Sequence, residues 1–441
     1  MQNATAAPEL THRVHELRAV YEKANPRSAE RHLRARTVMP GGNTRTTLHY
    51  APFPLVFTGA AGATLRSLDG DDYLDLLGDF TAGLYGHSHP VLRAALNRAV
   101  DAGTTFGGHN DDEDSFVAEL VRRFPSLELA RLTNSGTEAN TLALAAAVAH
   151  TGRSTILVFR GGYHGGVLDF TAPQRPLNLP HRFRVCDYAD PAAAAAAIRE
   201  CGEDLAAVLV EPMQGSAGCI PADPELLRTV RAATAEVGAL LVFDEVMTSR
   251  LGPGGLQQEL GITPDLTTLG KYLGGGMTFG AFGGRADIMR RFDPGVPGAW
   301  GHPGTFNNNT LTVAAGLAGL VQVLTPEVLA DLNTRGDRLR GRLVELFRAA
   351  DLPFTATGSG SLMTIHPVRG PVRSVADLAA ADDQLRELLF LHLLGERIWI
   401  ARRGFIALTL AVTDADCDAL VASVDRFAHR HGDTVRRHAG R

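Results

Sequence analysis

The sequence predicts an α/β protein, with a large domain built on a mostly parallel sheet flanked by helices. A smaller α+β domain is expected from the two chain ends. Three observations carry this reading. Short, mostly apolar runs recur at 156–159, 207–210, 239–243 and 266–269, as strands covered on both faces do. Helical stretches rich in Ala and Leu, such as 138–150 and 224–237, separate them, and that alternation belongs to parallel sheets. Near residue 325 the character changes to long helices with few strands. The expected division is 1–79 as an N-terminal part of the small domain, 80–325 as the large domain and 326–441 as the C-terminal small domain.

Taken in chain order, residues 11–38 read as a polar helix stopped by Pro40-Gly41-Gly42. Strand-like segments follow at 55–58 and 64–67, and Asp69-Gly70 turns the chain into a third at 73–76. The alternating region then runs from about residue 80. Beyond it come an amphipathic helix at 326–350, the segment 358–366, a helix at 375–396, a strand at 405–410 and a last helix from Thr413. No repeat is present, and the Ala192–Ala197 run fits a helix interior.

Composition bounds the function. A chain of 441 residues has room for two domains, and 45% hydrophobic with 21% charged residues excludes a disordered one. The net charge of −5 offers no basic patch, so nucleic acid is not expected as a partner. The first residues lack an apolar secretory core, and no apolar run is long enough for a bilayer span. Cys186, Cys201, Cys219 and Cys417 form no CxxC pair, which suits buried thiols in a reducing compartment. A cytoplasmic protein without metal or membrane partner is expected.

Of the 43 basic residues only two are lysines, Lys23 and Lys271. Lys23 lies in the polar N-terminal segment and reads as a solvated charge. Lys271 stands in TTLGKYLGGG, between a strand-like run and a glycine cluster. Arginine cannot replace an amine nucleophile, because guanidinium does not deprotonate near neutral pH.

Two further motifs can carry chemistry. In Asn134-Ser135-Gly136-Thr137-Glu138-Ala139, small residues at a helix start leave backbone N–H groups that suit a phosphate, although a plain N-cap looks the same. In Phe243-Asp244-Glu245-Val246, Asp244 and Val246 share one face at the end of a strand, where open α/β sheets bind ligands. A metal ligand or a structural cap would read alike. Lys271 by itself could be a snorkelling surface lysine. Together, a phosphate cradle, a strand-end carboxylate and a glycine-flanked amine match the three handles of pyridoxal phosphate: phosphate, ring nitrogen and aldehyde.

NSGTEA, GGYHGG, VEPMQG, VFDEV, TTLGKYLGGG and GTFNNN, in this order, resemble the class III aminotransferases of pyridoxal-phosphate fold type I. The likeness runs from about Pro40 to Asp416. It implies that Ser135, Gly136 and Thr137 hold the phosphate and that Thr305 reaches the phosphate of a neighbouring subunit, making a homodimer with shared sites. Tyr163 would stack on one ring face and Val246 on the other. Asp244 would pair with the ring nitrogen, Gln214 with the ring hydroxyl, and Glu211 would stand behind these contacts. Lys271 would hold the aldehyde covalently and then shuttle the proton.

Other features are set aside. GGGMTFGAFGG follows the lysine and does not open a first βαβ unit, so it is not read as a nucleotide loop. His87 and His89 lack a third metal ligand, and Asp111–Asp114 lacks a calcium loop.

Two subfamilies compete. GGNTRTTLHYAPFPL, TAGLYGHS, VEPMQGSAGCIP and HPGTFNNN resemble the aromatic β-amino-acid (β-phenylalanine) aminotransferases more than the glutamate-1-semialdehyde 2,1-aminomutases. That likeness implies transfer of an amino group from an aromatic β-amino acid to a 2-oxo acid such as 2-oxoglutarate, by a ping-pong mechanism. Arg45 would bind the donor's carboxylate, and Leu48, Tyr50, Phe53 and Tyr85 would wall an aryl group. Arg403 would serve the second carboxylate of the acceptor. Arg402 competes for that role, since neighbours in extended chain point opposite ways. A catalytically silent member of the fold would lack Lys271 or Asp244, and both are present.

Overall fold

The computed structural model describes residues 6–173 and 175–440. Its centre is a seven-stranded sheet in the order Leu129–Thr133, Gly280–Gly284, Leu266–Gly270, Leu240–Asp244, Leu205–Val210, Thr155–Phe159, Arg182–Cys186. Gly280–Gly284 runs antiparallel to both neighbours, and every other pairing in this sheet is parallel. The apolar runs behave as the two-residue side-chain period requires. Ile156, Val158, Ala207, Leu209 and Val242 pack beneath the helix Gly136–Thr151. Leu157, Phe159, Val208, Val210, Leu241 and Phe243 face the helices Pro191–Cys201 and Pro224–Val237.

Three strands of this sheet lie outside the expected apolar runs, Leu129–Thr133, Arg182–Cys186 and Gly280–Gly284, and glycine explains the last. A Cβ at Gly280 would strike the Ser135 carbonyl, one at Gly283 the Leu129 carbonyl and one at Gly284 the Asp265 carbonyl. Close backbone approach selects glycine there, and glycine carries no strand signal.

The chain ends meet in two smaller sheets. Phe57–Ala61, Thr64–Ser67 and Asp72–Asp75 form a meander that Ile398–Trp399 joins in parallel. Thr355–Ser359, Leu362–His366 and Phe405–Ala407 form an antiparallel three-stranded sheet. Around them pack the helices Ala6–Ala24, Pro326–Ala349, Asp383–Gly395 and Asp414–Ala439.

Four element expectations are corrected. The helix expected over 11–38 is two, Ala6–Ala24 and Pro26–Arg36. Pro26 supplies no N–H to continue the first ladder, and the Asn25 side chain bonds the Tyr21 carbonyl at 2.8 Å instead. The helix expected over 375–396 is a short turn at Val375–Leu378 and a helix Asp383–Gly395, restarted by an N-cap at Asp382. The strand expected at 55–58 is Phe57–Ala61, after Pro52 and Pro54. The strand expected at 405–410 ends at Ala407, whose N–H leaves its sheet for the Leu76 carbonyl at 2.9 Å.

Candidate active site

Adjacent parallel strands deliver the two principal side chains. Asp244 ends Leu240–Asp244, and Lys271 directly follows Leu266–Gly270. Both therefore stand at carboxyl ends of the sheet, where a crevice forms. Lys271 adopts the left-handed region at φ 57°, which costs a non-glycine residue about 1–3 kcal/mol and marks a constrained position. The half-buried amine is pulled down to about 8 by burial, while Asp244 and Glu211 act in the opposite direction. A good fraction of it is thus neutral near physiological pH.

Asp244 is buried and held from three sides. Its Oδ2 accepts hydrogen bonds from Asn140 Nδ2 and His164 Nδ1, each at 2.8 Å, and its Oδ1 accepts from the Val246 N–H at 3.0 Å. Thr268 Oγ1 donates to Asn140 Oδ1 at 2.7 Å, which fixes the amide's orientation. Burial opposes a charged His164. The hydrogen bond and charge of Asp244, with the charge of Glu211, outweigh it and raise the imidazole above its usual value. Asn140 and His164 were not singled out in the sequence. Their only signals are a position four residues into the helix and membership of GGYHGG.

Glu211 is buried, and burial lifts its carboxyl to about 7 against the hydrogen bonds that it accepts. Those come from the N–H groups of Tyr163, at 2.9 Å, and Gly215, at 3.1 Å, so Glu211 shapes the two loops that carry Tyr163 and Gln214. Gln214 donates to the Arg160 carbonyl at 2.9 Å, while its buried Oε1 has no partner among the described residues. Cys219, read as a buried thiol in the sequence, is buried nearby at φ 52°. Burial pushes it up to about 11, so it stays a thiol.

The helix start is tightly built. Ser135 Oγ caps it by accepting from the Glu138 N–H at 3.1 Å, and Glu138 reaches back to the Asn134 N–H at 2.7 Å. The amides of Gly136 and Thr137 lie in the first turn, where a helix offers no carbonyl partner. A Cβ at Gly136 would come within 2.8 Å of the Val246 methyls, and one at Gly165 would overlap Thr137. A Cβ at Gly270 would lie 3.2 Å from Val246. Helix start, Val246 and the Lys271 strand end thus press together around one crevice.

The arginines separate by partner. Arg402 pairs with Glu387 and, at 2.6 Å, with Asp383, both on Asp383–Gly395 and away from the crevice. Arg403 pairs with no carboxylate among the described residues and bonds only Ser216 Oγ, at 3.3 Å. Its guanidinium lies 5.3 Å from the Phe80 ring centroid and 5.4 Å from that of Phe405. Arg45 lies 5.5 Å from the same Phe80 ring and pairs with Asp79 at 2.9 Å. Burial, then Asp169, raise the Tyr163 phenol, while Arg403 and Arg45 lower it, so both arginines act on the same ring.

Other expected residues fall elsewhere. Tyr85 does not line the crevice: it is 3% exposed in the core, with its hydroxyl against Gly319 of the helix Thr310–Gln322. Tyr50 and Phe53 are likewise buried, packed with Tyr21, and Tyr50 also meets Phe390 and Trp399. Leu48 is partly buried. The aromatic that the site presents is Phe80, which the sequence did not mark. Thr305 is exposed in a turn whose Asn307 accepts from Asn134 Nδ2 at 3.1 Å, beside the helix start.

These residues fit pyridoxal phosphate. The capped helix start would take the phosphate, Asp244 the ring nitrogen, the orphaned Gln214 Oε1 the ring hydroxyl and Lys271 the aldehyde. Residues 47–426 match the family model described as Aminotransferase class-III. The chain is 51% identical over 417 residues to the beta-phenylalanine transaminase of Variovorax paradoxus, covering 95% of this chain and 96% of that one. The crystal structure of a beta-phenylalanine aminotransferase from that organism superposes with a TM-score of 0.95 at 50% identity, covering 96% and 98% of the two chains. A transaminase solved with the cofactor bound gives a TM-score of 0.85 at 30% identity, covering 93% and 98%. The glutamate-1-semialdehyde 2,1-aminomutase of Methanothermobacter thermautotrophicus is more distant, 35% identical over 392 residues, with 86% and 93% covered. With lysine, carboxylate and phosphate cradle all in place, this chain belongs to the class III aminotransferases and is a pyridoxal-phosphate-dependent transaminase of fold type I.

Proposed function

We propose that the enzyme moves the amino group of an aromatic β-amino acid, of the β-phenylalanine type, to a 2-oxo acid such as 2-oxoglutarate. Both half-reactions would use one pocket in ping-pong order, in a cytoplasmic homodimer. The observation that carries this reading is Arg403, a largely enclosed guanidinium without a carboxylate, stacked on Phe80 and Phe405. A cation enclosed without a partner awaits an anion or an aromatic face. An aryl donor supplies the second and a dicarboxylate acceptor the first. Arg45, beside the same Phe80 ring, would take the carboxylate that both substrates share.

When bound, pyridoxal phosphate supplies the aldehyde that takes the amino group and the ring that accepts electrons from the carbon losing its proton. This chain's residues do the rest. Asp244, steadied by Asn140, His164 and the Val246 amide, would hold its carboxyl group at the ring nitrogen's position. Lys271, neutral in good part near pH 8, can take the proton from the amino-bearing carbon and return it. Arg45 and Arg403 orient that carbon by fixing the substrate's far ends.

The test is steady-state kinetics with β-phenylalanine and 2-oxoglutarate, set beside glutamate-1-semialdehyde. Parallel double-reciprocal lines with the first pair support the proposal. Turnover of the semialdehyde alone would replace it with aminomutase chemistry.

A further inference from the structure

Resting on that reading of Arg45 as the donor's carboxylate site, the turn from Gly78 to Thr81 asks for an account. Four successive residues adopt positive φ: Gly78 at 51°, Asp79 at 41°, Phe80 at 53° and Thr81 at 82°. Only Gly78 is a glycine, so side-chain-bearing residues are held in a region they seldom occupy. The fold holds them firmly. Asp75 Oδ1 accepts from the N–H groups of Leu77 and Gly78 at 2.9 and 3.0 Å, and its Oδ2 meets His87 Nε2 at 2.8 Å. The Gly83 N–H closes onto the Gly78 carbonyl at 2.9 Å. Behind the turn, a Cβ on Gly78 would lie 2.9 Å from the Ala407 carbonyl, so the turn cannot retreat.

The result is that two neighbouring side chains, Asp79 and Phe80, both meet Arg45. Phe80 gives its guanidinium an aromatic face, and Asp79 takes one corner of it, Nη1 at 2.9 Å. Among the described residues the Arg45 guanidinium makes no other hydrogen bond, so Nε and Nη2 stay free. Those two N–H groups form the planar fork that binds a carboxylate through two parallel hydrogen bonds. A free arginine would have to give up side-chain freedom on binding, and a tether at the opposite corner removes part of that cost.

We propose that Asp79 is a positioning residue for substrate carboxylates: it anchors Arg45 by one corner and leaves the guanidinium fork presented to the donor. It acts through Arg45 and touches no reacting atom. The left-handed turn is what brings it there.

The experiment compares the holoenzyme with Asp79→Asn, Arg45→Ala and the double variant. Asparagine tolerates positive φ as aspartate does, so the turn survives the loss of charge. Asp79→Asn is expected to raise KM for β-phenylalanine about two- to fivefold, the scale of a solvent-accessible ion pair, with kcat little changed. Calorimetric binding of 3-phenylpropanoate should weaken by the same factor. KM for 1-phenylethylamine, which has no carboxylate, should not move, and in the Arg45→Ala background the effect should vanish. Unchanged or tighter carboxylate binding overturns the inference, as does equal loss with the carboxylate-free amine or persistence without Arg45. If Arg45→Ala is impaired and Asp79→Asn is not, only this inference falls. If Arg45→Ala handles β-phenylalanine normally, the underlying substrate reading falls with it.

Discussion

Lys271 shows how one residue's chemistry is set by its surroundings. Burial lowers its pKa to about 8, so below that pH the amine is increasingly protonated and cannot attack an aldehyde. Cofactor capture by cofactor-free protein should therefore slow about tenfold per unit as pH falls below 8, and level off above it. Stopped-flow absorbance against pH measures this, and a rate flat from pH 6 to 9 would contradict it. Lys271→Ala should keep its circular dichroism yet lose all turnover, since the amine serves chemistry and not packing. Arg403 and Arg402 offer a paired test at the same scale. Arg403→Ala should lose about 2–4 kcal/mol of specificity for 2-oxoglutarate, the value of a charge-assisted carboxylate contact, and much less for pyruvate. Arg402→Ala, which breaks the pairs with Asp383 and Glu387, should leave the acceptor ratio alone and lower thermal stability. Acceptor assays with both variants decide it.

Elements place these residues by close backbone approach. Gly136 opens the helix Gly136–Thr151 against Val246, and an added methyl would come within 2.8 Å of the Val246 side chain. Because φ at Gly136 is not positive, Gly136→Ala should not unwind the helix start. It should instead displace Val246 or the first turn, costing about 1–3 kcal/mol by overpacking and weakening cofactor affinity. Gly166, on the exposed loop after His164, has nothing within 4 Å of an added Cβ and serves as the control. Equilibrium dialysis of pyridoxal phosphate against Gly136→Ala and Gly166→Ala should separate them, and equal affinities would show that the contact relaxes freely.

At the scale of the molecule, the site is made where the two sheet systems meet. Arg250, six residues beyond the end of Leu240–Asp244, is fully buried. Its Nε donates to Ser361 Oγ at 3.2 Å and its Nη2 to the Leu408 carbonyl, linking the large sheet to the C-terminal one. Burial pulls this guanidinium down to about 10, still charged at neutral pH. Assembly as a dimer would add the last level. Thr305 and Phe306 are exposed beside the helix start, Phe306 by 54%. A partner covering this segment would complete both sites at once. Active enzyme should therefore sediment as a dimer, and Thr305→Ala should weaken cofactor binding more than it weakens assembly. An active monomer at assay concentration would reject shared sites.

The chemistry was legible in the sequence because it depends on residue type at fixed spacing. A lysine among arginines, a carboxylate at a strand end and a capped helix start needed no coordinates, nor did the buried strands whose apolar runs repeat with the helices between them. Tertiary structure alone decided which side chains face one another. The strand Gly280–Gly284 stayed hidden because backbone contact, and not side-chain pattern, selects its glycines. Tyr85 and Tyr50 read as pocket walls, yet they are core, since an aromatic's burial depends on elements distant in sequence. Asn140 and His164 meet Asp244 only because helix, loop and strand converge. That Arg402 finds carboxylates on Asp383–Gly395, while Arg403 pairs with none among the described residues, is likewise set by elements distant in sequence. Phe80 and Asp79 reach Arg45 through a left-handed turn that the rest of the fold enforces, a conformation that local sequence preference does not favour.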